Sequence, residues 1–296
     1  MEGSALRLLI VDDDEVWRDV LGLLFADKPE IKVTLAVSGA DALEKVGADD
    51  YDLVLLDMRM PSGVEGLDAL REIKLIKPQT GVMIMSAYGD IRKSAEAIRR
   101  GALDFVPKEA DFKEVIAFEV NKFIRTFHLI ADRERLIRSK YEEVQRARSA
   151  QKKGRALEDL IAALFASIDG FREIARDRHT KTEEIDLVFR NESRAPAWEK
   201  EGAIILVECK NWHSQRVGKN EFVLFKEKIE NRAGRCKLGF LVCTEKFTET
   251  IEKEMLRSSK TDLLVVPLDG DDLRQLVEAE NRSEVLRNFA DRALLS

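Results

Sequence analysis

Apolar segments of strand length alternate with amphipathic segments of helix length through residues 6–106, and this alternation constrains the fold most strongly. The strand-like runs are Leu6–Val11, Ile31–Ala36, Asp52–Leu56, Gly81–Met85 and Leu103–Val106. The helix-like stretches between them are Glu15–Ala26, Gly39–Val46, Gly66–Ile76 and Ile91–Arg100. Strands that alternate with helices of this length predict an α/β domain with a doubly wound, five-stranded parallel sheet.

Acidic, hydroxyl and basic side chains stand where these strands end. Asp12 and Asp13 follow the first strand, Asp57 follows the third, Ser86 the fourth and Lys108 the fifth. Ligands of doubly wound sheets bind outside the carboxyl ends of the strands, so we expect these side chains to lie together.

Residues 5 to about 125 resemble the receiver domain of response regulators in two-component signalling. The segments that carry the resemblance are Leu9-Ile10-Val11-Asp12-Asp13-Asp14, Leu55-Leu56-Asp57-Met58-Arg59-Met60-Pro61, Met85-Ser86-Ala87 and Asp104-Phe105-Val106-Pro107-Lys108. The chain departs from the usual pattern in two respects. The family places a proline after the lysine, whereas here Pro107 precedes it, and the loop Pro61-Ser62-Gly63-Val64-Glu65-Gly66 is one residue longer than usual.

The resemblance implies a role for each of these positions. Asp57 would accept a phosphoryl group from a histidine kinase or a small phosphodonor, and Asp12 and Asp13 would hold Mg²⁺ together with Asp57. Ser86 and Lys108 would contact the phosphoryl oxygens, and Phe105 would be the aromatic switch residue. The alternative is a degenerate receiver that is never phosphorylated.

A single long helix is expected after Asp111, because neither Pro nor Gly recurs before Gly154. Nine positions follow alternating spacings of four and three, and eight of them are apolar: Ile116, Val120, Phe123, Phe127, Ile130, Glu134, Ile137, Tyr141 and Val144. This spacing predicts a parallel coiled coil that joins two protomers, with Glu134 loosening the pairing or fixing its register. The alternative is one amphipathic helix that packs on its own domain.

The domain organisation expected from these patterns is a receiver domain over residues 1–125, a coiled-coil linker helix over 126–153 and a second domain over 154–296. Residues 121–157 contain eleven Lys and Arg against four Asp and Glu, about seven net positive charges. This basic stretch is either a solvated helix face or a surface that touches DNA phosphates.

Two strand-like runs of the second domain carry charged residues in a suggestive arrangement. Asp186 lies within Glu184–Phe189, and Glu208 and Lys210 end the run Ile204–Lys210. Residues i and i+2 of a strand point to the same face, so Glu208 and Lys210 should emerge side by side, and Asp186 joins them if the strands pair. Two carboxylates and an ammonium suit a site that holds a divalent metal and places water against a phosphodiester.

The expected helices and strands of the whole second domain come in the order α-β-β-α-β-α-β-α, which predicts a mixed sheet flanked by helices. In chain order they are a helix at Arg155–Phe165, the two charged strands, a helix near Asn220–Asn231, a strand at Leu238–Cys243, a helix at Thr248–Ser258, a strand at Leu263–Pro267 and a C-terminal helix capped near Asp269.

This order, with its acids, resembles the PD-(D/E)xK nuclease superfamily and, more closely, the Mrr-like restriction endonuclease domain, over about Gly154–Val277. The supporting segments are Gly154-Arg155-Ala156-Leu157-Glu158, Glu184-Ile185-Asp186-Leu187-Val188, Val207-Glu208-Cys209-Lys210-Asn211-Trp212 and Gly239-Phe240-Leu241-Val242-Cys243-Thr244.

The resemblance implies a metal-dependent endonuclease. Asp186 and Glu208 would be ligands of Mg²⁺, or of Mn²⁺ as a substitute, and Lys210 would orient or activate the attacking water. Glu158 would complete the metal shell or hold a metal-bound water. The chain would then be a response regulator whose output hydrolyses DNA as a dimer.

Three alternatives stay open for the second domain. Glu208 and Lys210 could form a structural salt bridge, the domain could be a nuclease fold that only binds nucleic acid or protein, or it could be an RNase or nickase. The net charge of −6 argues weakly against a dedicated DNA binder. Three cysteines, no membrane-length apolar run and no signal-peptide pattern predict a reduced cytoplasmic protein.

Overall fold

Two five-stranded sheets, one in each part of the chain, provide the frame on which every charged residue discussed here is placed. The structure is a computed structural model, and it describes residues 5–60, 66–87, 91–179, 184–211, 216–232, 234–251, 254 and 262–295. The chain divides into two units, Met1–Leu129 and Ile130–Ser296.

The first unit is the predicted doubly wound sheet. Its strands are β1 (Leu6–Val11), β2 (Ile31–Ala36), β3 (Leu53–Asp57), β4 (Gly81–Ser86) and β5 (Asp104–Pro107). They lie in the order β2-β1-β3-β4-β5, and every neighbouring pair is parallel. The helices of this unit are α1 (Glu15–Ala26), α2 (Gly39–Ala48), α3 (Gly66–Ile76), α4 (Ile91–Arg99) and the first part of α5 (Phe112–Arg146).

Alternating side chains of the central strands feed two separate cores, one on each face of this sheet. Leu53 and Leu55 pack with residues of α1 and α5, whereas Val54 and Leu56 pack with residues of α2 and α3. All four strand residues are fully buried. Strands buried on both faces read as continuous apolar runs, and this is why the sequence located them well.

The second unit contains the predicted mixed sheet. Its strands are β6 (Phe171–His179), β7 (Glu184–Asn191), β8 (Ile204–Lys210), β9 (Cys236–Cys243) and β10 (Leu264–Leu268), in the order β10-β9-β8-β7-β6. β7 is antiparallel to both of its neighbours, while β8, β9 and β10 are parallel. β6 was not expected from the sequence, because this edge strand is mostly polar and charged.

Helices cover both faces of the second sheet. α6 (Ala150–Ala166), α8 (Gly270–Glu278) and α9 (Arg282–Leu295) contribute to the core on one face, and α7 (Lys219–Glu230) packs on the other. Trp198, in the loop between β7 and β8, is fully buried, lies edge-on against Phe171 and donates its indole N–H to Ser283 Oγ at 2.8 Å. Most of the helix expected at Thr248–Ser258 lies outside the described residues.

Four of the nine positions in the apolar stripe of α5 are buried inside the chain, whereas Ile130 in its middle is 47% exposed. Ile116 and Val120 are fully buried in a core of the first unit, and Ile137 and Val144 are buried in a core of the second. A parallel dimer through this stripe would require these side chains to leave those cores. The four-and-three spacing is shared by coiled coils and by helices packed on their own domain, and the four buried positions pack as the second alternative describes. The coiled coil itself stays a prediction.

Glu134, the polar position of that stripe, has a partner in its own unit. Arg282 donates to its two carboxylate oxygens over 2.6 and 2.5 Å, and its guanidinium also donates to the carbonyls of Leu276 and Val277. The Arg282 hydrogen bond lowers the pKa of Glu134. Glu134 therefore attaches the end of α5 to the C-terminal helices.

The helix break lies before Gly154 rather than at it. α5 ends at Arg146, and α6 begins at Ala150 with Ser149 as its N-cap, whose hydroxyl accepts from the Lys152 N–H. Gly154 is inside α6. Among the helices of the described residues, none combines the length and the hydropathy needed to cross a bilayer.

We predict that Glu134→Gln destabilises the second unit by about 1–3 kcal/mol, because the nearly buried Arg282 guanidinium loses its carboxylate. Urea unfolding would measure the loss. Glu142→Gln, on the same helix, is the matched control, because Glu142 and its partner Arg146 are 59% and 79% exposed. Equal losses in both variants would contradict a specific contribution of Glu134.

Candidate functional site

The acidic residues at the first sheet edge form a close trio. Ligand oxygens of Asp12, Asp13 and Asp57 lie within 4.8 Å of one another. Asp12 and Asp57 are buried, whereas Asp13 is exposed. Adjacent parallel strands β1 and β3 end beside each other, and this register brings Asp12 and Asp57 together.

Lys108 balances the two buried carboxylates of this trio. Its ammonium lies 2.7 Å from Asp12 Oδ2 and 2.7 Å from Asp57 Oδ1, and its side chain is 8% exposed. The Lys108 N–H donates to the carbonyl of Ser86 at 2.6 Å. The order Pro107-Lys108 therefore still delivers the lysine to the acidic edge.

Burial raises the pKa of Asp57 above its ordinary value, and the charge of Asp12 adds to the rise. The hydrogen bond and charge of Lys108 oppose it, as does the Arg59 N–H, which donates to Asp57 Oδ2 at 2.9 Å. The backbone at Gly66 passes close to the backbone at Asp57, where a Cβ on Gly66 would lie 2.5 Å from the Asp57 carbonyl oxygen. This approach therefore requires glycine at position 66.

Ser86 and Phe105, the other two residues of the predicted receiver site, contact residues outside the acidic trio. Ser86 is fully buried at the end of β4, and its hydroxyl donates to the Ala87 carbonyl at 3.1 Å. Phe105 is half-buried and packs against the core formed with α2 and α3.

In the second unit, the pairing of β7 with β8 places Asp186 beside Glu208. The register pairs Leu187 with Val207. Asp186 comes one residue before Leu187 and Glu208 one residue after Val207, so the two acids are opposite each other in this antiparallel pair. Both acids are buried. Asp186 Oδ2 accepts from the Cys209 N–H at 2.6 Å, and this bond fixes the carboxylate against the neighbouring strand.

Two lysines hold the Glu208 carboxylate. Lys210 donates to Oε1 at 2.6 Å, as expected for side chains two residues apart on one strand face. Lys228, which no sequence motif indicates, donates to both Oε1 and Oε2 at 2.8 Å and to the Glu184 carbonyl at 2.6 Å.

Close packing of α7 on β9 brings Lys228 to this position. A Cβ on Gly239 would lie 2.5 Å from Ile229 Cδ1 and 2.8 Å from Phe225 Cζ, so glycine allows α7 to approach the sheet. Lys228 is 20 residues from Glu208 in the sequence. No local spacing rule connects a helix lysine to a strand acid at that distance.

Mutual repulsion of the carboxylates extends to Glu158 on α6. Burial raises the pKa of Glu158 to about 7, and the charges of Asp177 and Asp186 add to the rise. Burial likewise raises the pKa of Asp186 to about 6, with the charge of Glu208 second. Burial alone would lower the pKa of Lys210, but the charge and hydrogen bond of Glu208 raise it above its ordinary value.

The donor chemistry of both sites suits a hard divalent cation. Carboxylate oxygens are the ligands that Mg²⁺ and Mn²⁺ take in proteins, and repulsion between neighbouring carboxylates is relieved by a cation. In the part of the chain that the structure describes, the trio at Asp12 is the one acidic group with three ligand atoms within 4.8 Å. Glu158, Asp186 and Glu208 stand further apart.

Comparison with protein families agrees with this division of sites. Residues 8–118 match the family model described as response regulator receiver domain, and residues 149–277 match the Mrr_cat model, described as restriction endonuclease. The chain joins a receiver domain to a restriction endonuclease domain. This combination supports a response regulator with a nuclease-type output domain.

Known relatives resemble the receiver part. The transcriptional regulatory protein ZraR of Klebsiella oxytoca is 39% identical over 115 residues, which cover 39% of this chain and 26% of ZraR. The DNA-binding transcriptional regulator NtrC of Escherichia coli K12 is 35% identical over 167 residues, 56% of this chain and 32% of NtrC. The chain therefore spans about a third or less of the length of these relatives.

A solved structure with similarity to the chain is the response regulator domain of Thermotoga maritima CheB. It is 32% identical, covers 41% of this chain and 95% of its own, and gives a TM-score of 0.37.

We predict that the metal-free second unit loses stability as the pH rises. The folded pKa values of about 6 for Asp186 and about 7 for Glu158 exceed the ordinary 3.8 and 4.5. Stability from the protonated forms is complete below the ordinary values and is lost as the pH rises through 6 and 7.

The measurement is urea unfolding in a chelator between about pH 5.5 and 8. Asp186→Asn should flatten the decline and raise stability at the upper end. Asp262→Asn is the matched control, because the Asp262 side chain is 93% exposed. A decline of the same slope in the wild type and Asp186→Asn would contradict the assignment.

Proposed function

We propose that phosphorylation at Asp57 controls a metal-dependent nuclease that hydrolyses DNA phosphodiester bonds. The observation that carries the proposal is the cluster of Asp186, Glu208 and Lys210 at one edge of the second sheet, in a chain that also contains a receiver domain.

In the receiver, a histidine kinase or small phosphodonor would supply the phosphoryl group, and Asp57 would attack it. Asp12, Asp13 and Asp57 would hold Mg²⁺, which would neutralise charge on the phosphoryl oxygens. Lys108 already contacts Asp57 Oδ1, so a phosphoryl group there would have to share or displace this ammonium. Ser86 would then contact the phosphoryl oxygens, and Phe105 would be the aromatic residue that changes its position.

The continuous helix α5 is the element through which we propose that the signal passes. It contributes Ile116 and Val120 to a receiver core and Ile137 and Val144 to a core of the second unit. A shift of the helix in one core therefore has to be accommodated in the other.

In the second unit, Asp186 and Glu208 would hold Mg²⁺ or Mn²⁺, with Glu158 completing the shell or holding a water. The bound metal would polarise the scissile phosphoryl group and stabilise the charge that develops on it. Lys210 would orient the attacking water and stabilise the same charge with its ammonium. The Cys209 N–H keeps Asp186 in place against β8.

A binding module is the second candidate, and the two lysines on Glu208 favour it. A carboxylate that accepts from Lys210 and Lys228 over 2.6–2.8 Å is already neutralised by the protein. On this alternative, the nuclease fold docks nucleic acid or protein under receiver control and cuts nothing.

A homodimer would place two nuclease domains on the two strands of a duplex. Since Ile116, Val120, Ile137 and Val144 are buried within the chain, a dimer that leaves the two cores intact would use other residues. Cytoplasmic location follows from the need for a kinase partner and a nucleic-acid substrate.

We predict that the protein cuts plasmid DNA with Mg²⁺ or Mn²⁺ and that beryllofluoride changes the rate. Lys210→Ala should lower the rate on the order of 100-fold, because one charge-stabilising group is lost. Lys219→Ala, a half-exposed lysine of the same unit, is the control. Single-stranded DNA and RNA should be tested in parallel, because an RNase or nickase would differ there.

Cutting that is indifferent to Lys210→Ala would remove this site from the proposal. Cutting that ignores beryllofluoride would keep the nuclease and remove the receiver's control of it. If nothing is cut and binding survives Glu208→Ala, the binding module is the function.

We also predict that Lys228→Met tightens Mn²⁺ binding several-fold, because the ammonium that competes for both Glu208 oxygens is removed. Isothermal titration would measure the affinity, with Asp57→Asn and Asp13→Asn present to disable the receiver site. Lys226→Met is the matched control on α7, because Lys226 pairs with Glu230 at 3.7 Å instead. Unchanged or weaker affinity in Lys228→Met would contradict competition at Glu208.

A further inference from the structure

A basic cavity lies at the joint between α5 and α6 in the second unit. Its volume is about 660 Å³. The residues that matter for its chemistry come from the helix joint and from the ends of β8 and β9: Arg146, Arg148, Lys153, Asn211, Thr244 and Glu245.

Lys153 is the decisive residue of this cavity. It is only 5% exposed, yet none of the described residues forms a hydrogen bond or ion pair with its ammonium. Every fully buried side-chain nitrogen or oxygen of the described residues has a hydrogen-bond partner, so the Lys153 ammonium is not enclosed by the protein and reaches solvent. Because Lys153 lines the cavity and its ammonium has no partner among the described residues, this ammonium is available to an anion there.

The charge balance of the cavity is positive. Arg146, Arg148 and Lys153 face a single acid, Glu245. Arg146 is already paired with Glu142 at 2.8 Å, whereas Arg148 has no ion pair among the described residues. Arginine and lysine beside each other suit a phosphate, which accepts from both.

Hydrogen bonds connect the cavity to the strand that carries the proposed catalytic lysine. Asn211 follows Lys210 directly and donates from Nδ2 to the Lys153 carbonyl at 2.8 Å. Thr244, at the end of β9, donates to Asn211 Oδ1 at 2.7 Å. Gly154, the residue after Lys153, lies close to the proposed site, because a Cβ on Gly154 would be 3.9 Å from Glu158 Oε1, so the cavity adjoins the proposed active site.

From these contacts we infer that the cavity binds a phosphate of the nucleic-acid strand that flanks the scissile one, through Lys153 and Arg148. The inference rests on the proposed nuclease function and assigns it a site for holding the substrate backbone. A nucleic-acid strand presents phosphates at regular intervals, so a strand whose scissile phosphate lies at Lys210 brings a neighbouring phosphate towards this cavity. Three of the eleven Lys and Arg of residues 121–157 line this cavity: Arg146, Arg148 and Lys153.

The test measures affinity of the full chain for a short DNA duplex, a single strand and RNA, in a chelator so that nothing is cut. Lys153→Gln and Arg148→Gln should each weaken binding about 10-fold near 0.1 M salt and reduce the log–log salt slope by about 0.9 for duplex DNA. Lys152→Gln is the matched control, because it removes the same charge from the next residue, which is exposed.

Lys153→Arg should restore binding, and thermal unfolding of each variant should show that it is folded. Equal effects of Lys152→Gln and Lys153→Gln would overturn the inference, because general electrostatics would then explain both. A change in binding of inorganic phosphate alone, without a change for any nucleic acid, would also overturn it, since the site would then take a free anion.

Different outcomes would contradict the proposed nuclease activity and the inferred phosphate-binding cavity. A wild type that binds the duplex through Lys153 but never cuts leaves the inference intact and removes the nuclease. A wild type that cuts, with Lys153→Gln cutting and binding equally well, removes the inference and keeps the nuclease. A wild type that binds no nucleic acid overturns the inference.

Discussion

Repulsion between carboxylates at the ends of strands is the constraint on which both sites depend. Asp12 and Asp57 meet because β1 and β3 are parallel neighbours, and Asp186 and Glu208 meet because β7 and β8 pair in one register. Burial makes each pair costly, and it raises the pKa values of Asp57 and Asp186. The carboxylates at each of these strand ends therefore need positive charges close to them. Clusters of this kind, with shifted pKa values, are typical of functional sites.

The protein supplies those cations from its own lysines. Lys108 bridges Asp12 and Asp57, and Lys210 and Lys228 hold Glu208. These lysines neutralise the carboxylates without a metal or a phosphoryl group, and they would have to rearrange if one were bound. Ligand binding at either site would then exchange one positive charge for another, and its free energy would be smaller than that of a cation entering an unpaired acidic site.

The sequence was sufficient where the determinants are local. Apolar runs that end in acids located β1, β3 and β8, and the i, i+2 rule placed Lys210 beside Glu208. The sequence was insufficient where contacts between distant segments determine the position of a residue or the identity of an element. Lys228 reaches Glu208 from another element, Trp198 is buried from a polar loop, and β6 has too few apolar residues to be recognised. The stripe on α5 was located correctly, but its spacing does not distinguish a partner helix from the chain's own core.

The sharing of α5 has a consequence for how the output domain can be separated from the receiver. The family match to the restriction endonuclease domain begins at residue 149, but Glu134, Ile137 and Val144 belong to the second unit by their contacts. A fragment that begins at the family boundary would expose the apolar surface that Ile137 and Val144 cover and would leave Arg282 without its carboxylate. The portable module is therefore longer than the family to which it belongs, and its additional segment is the end of the receiver's own last helix.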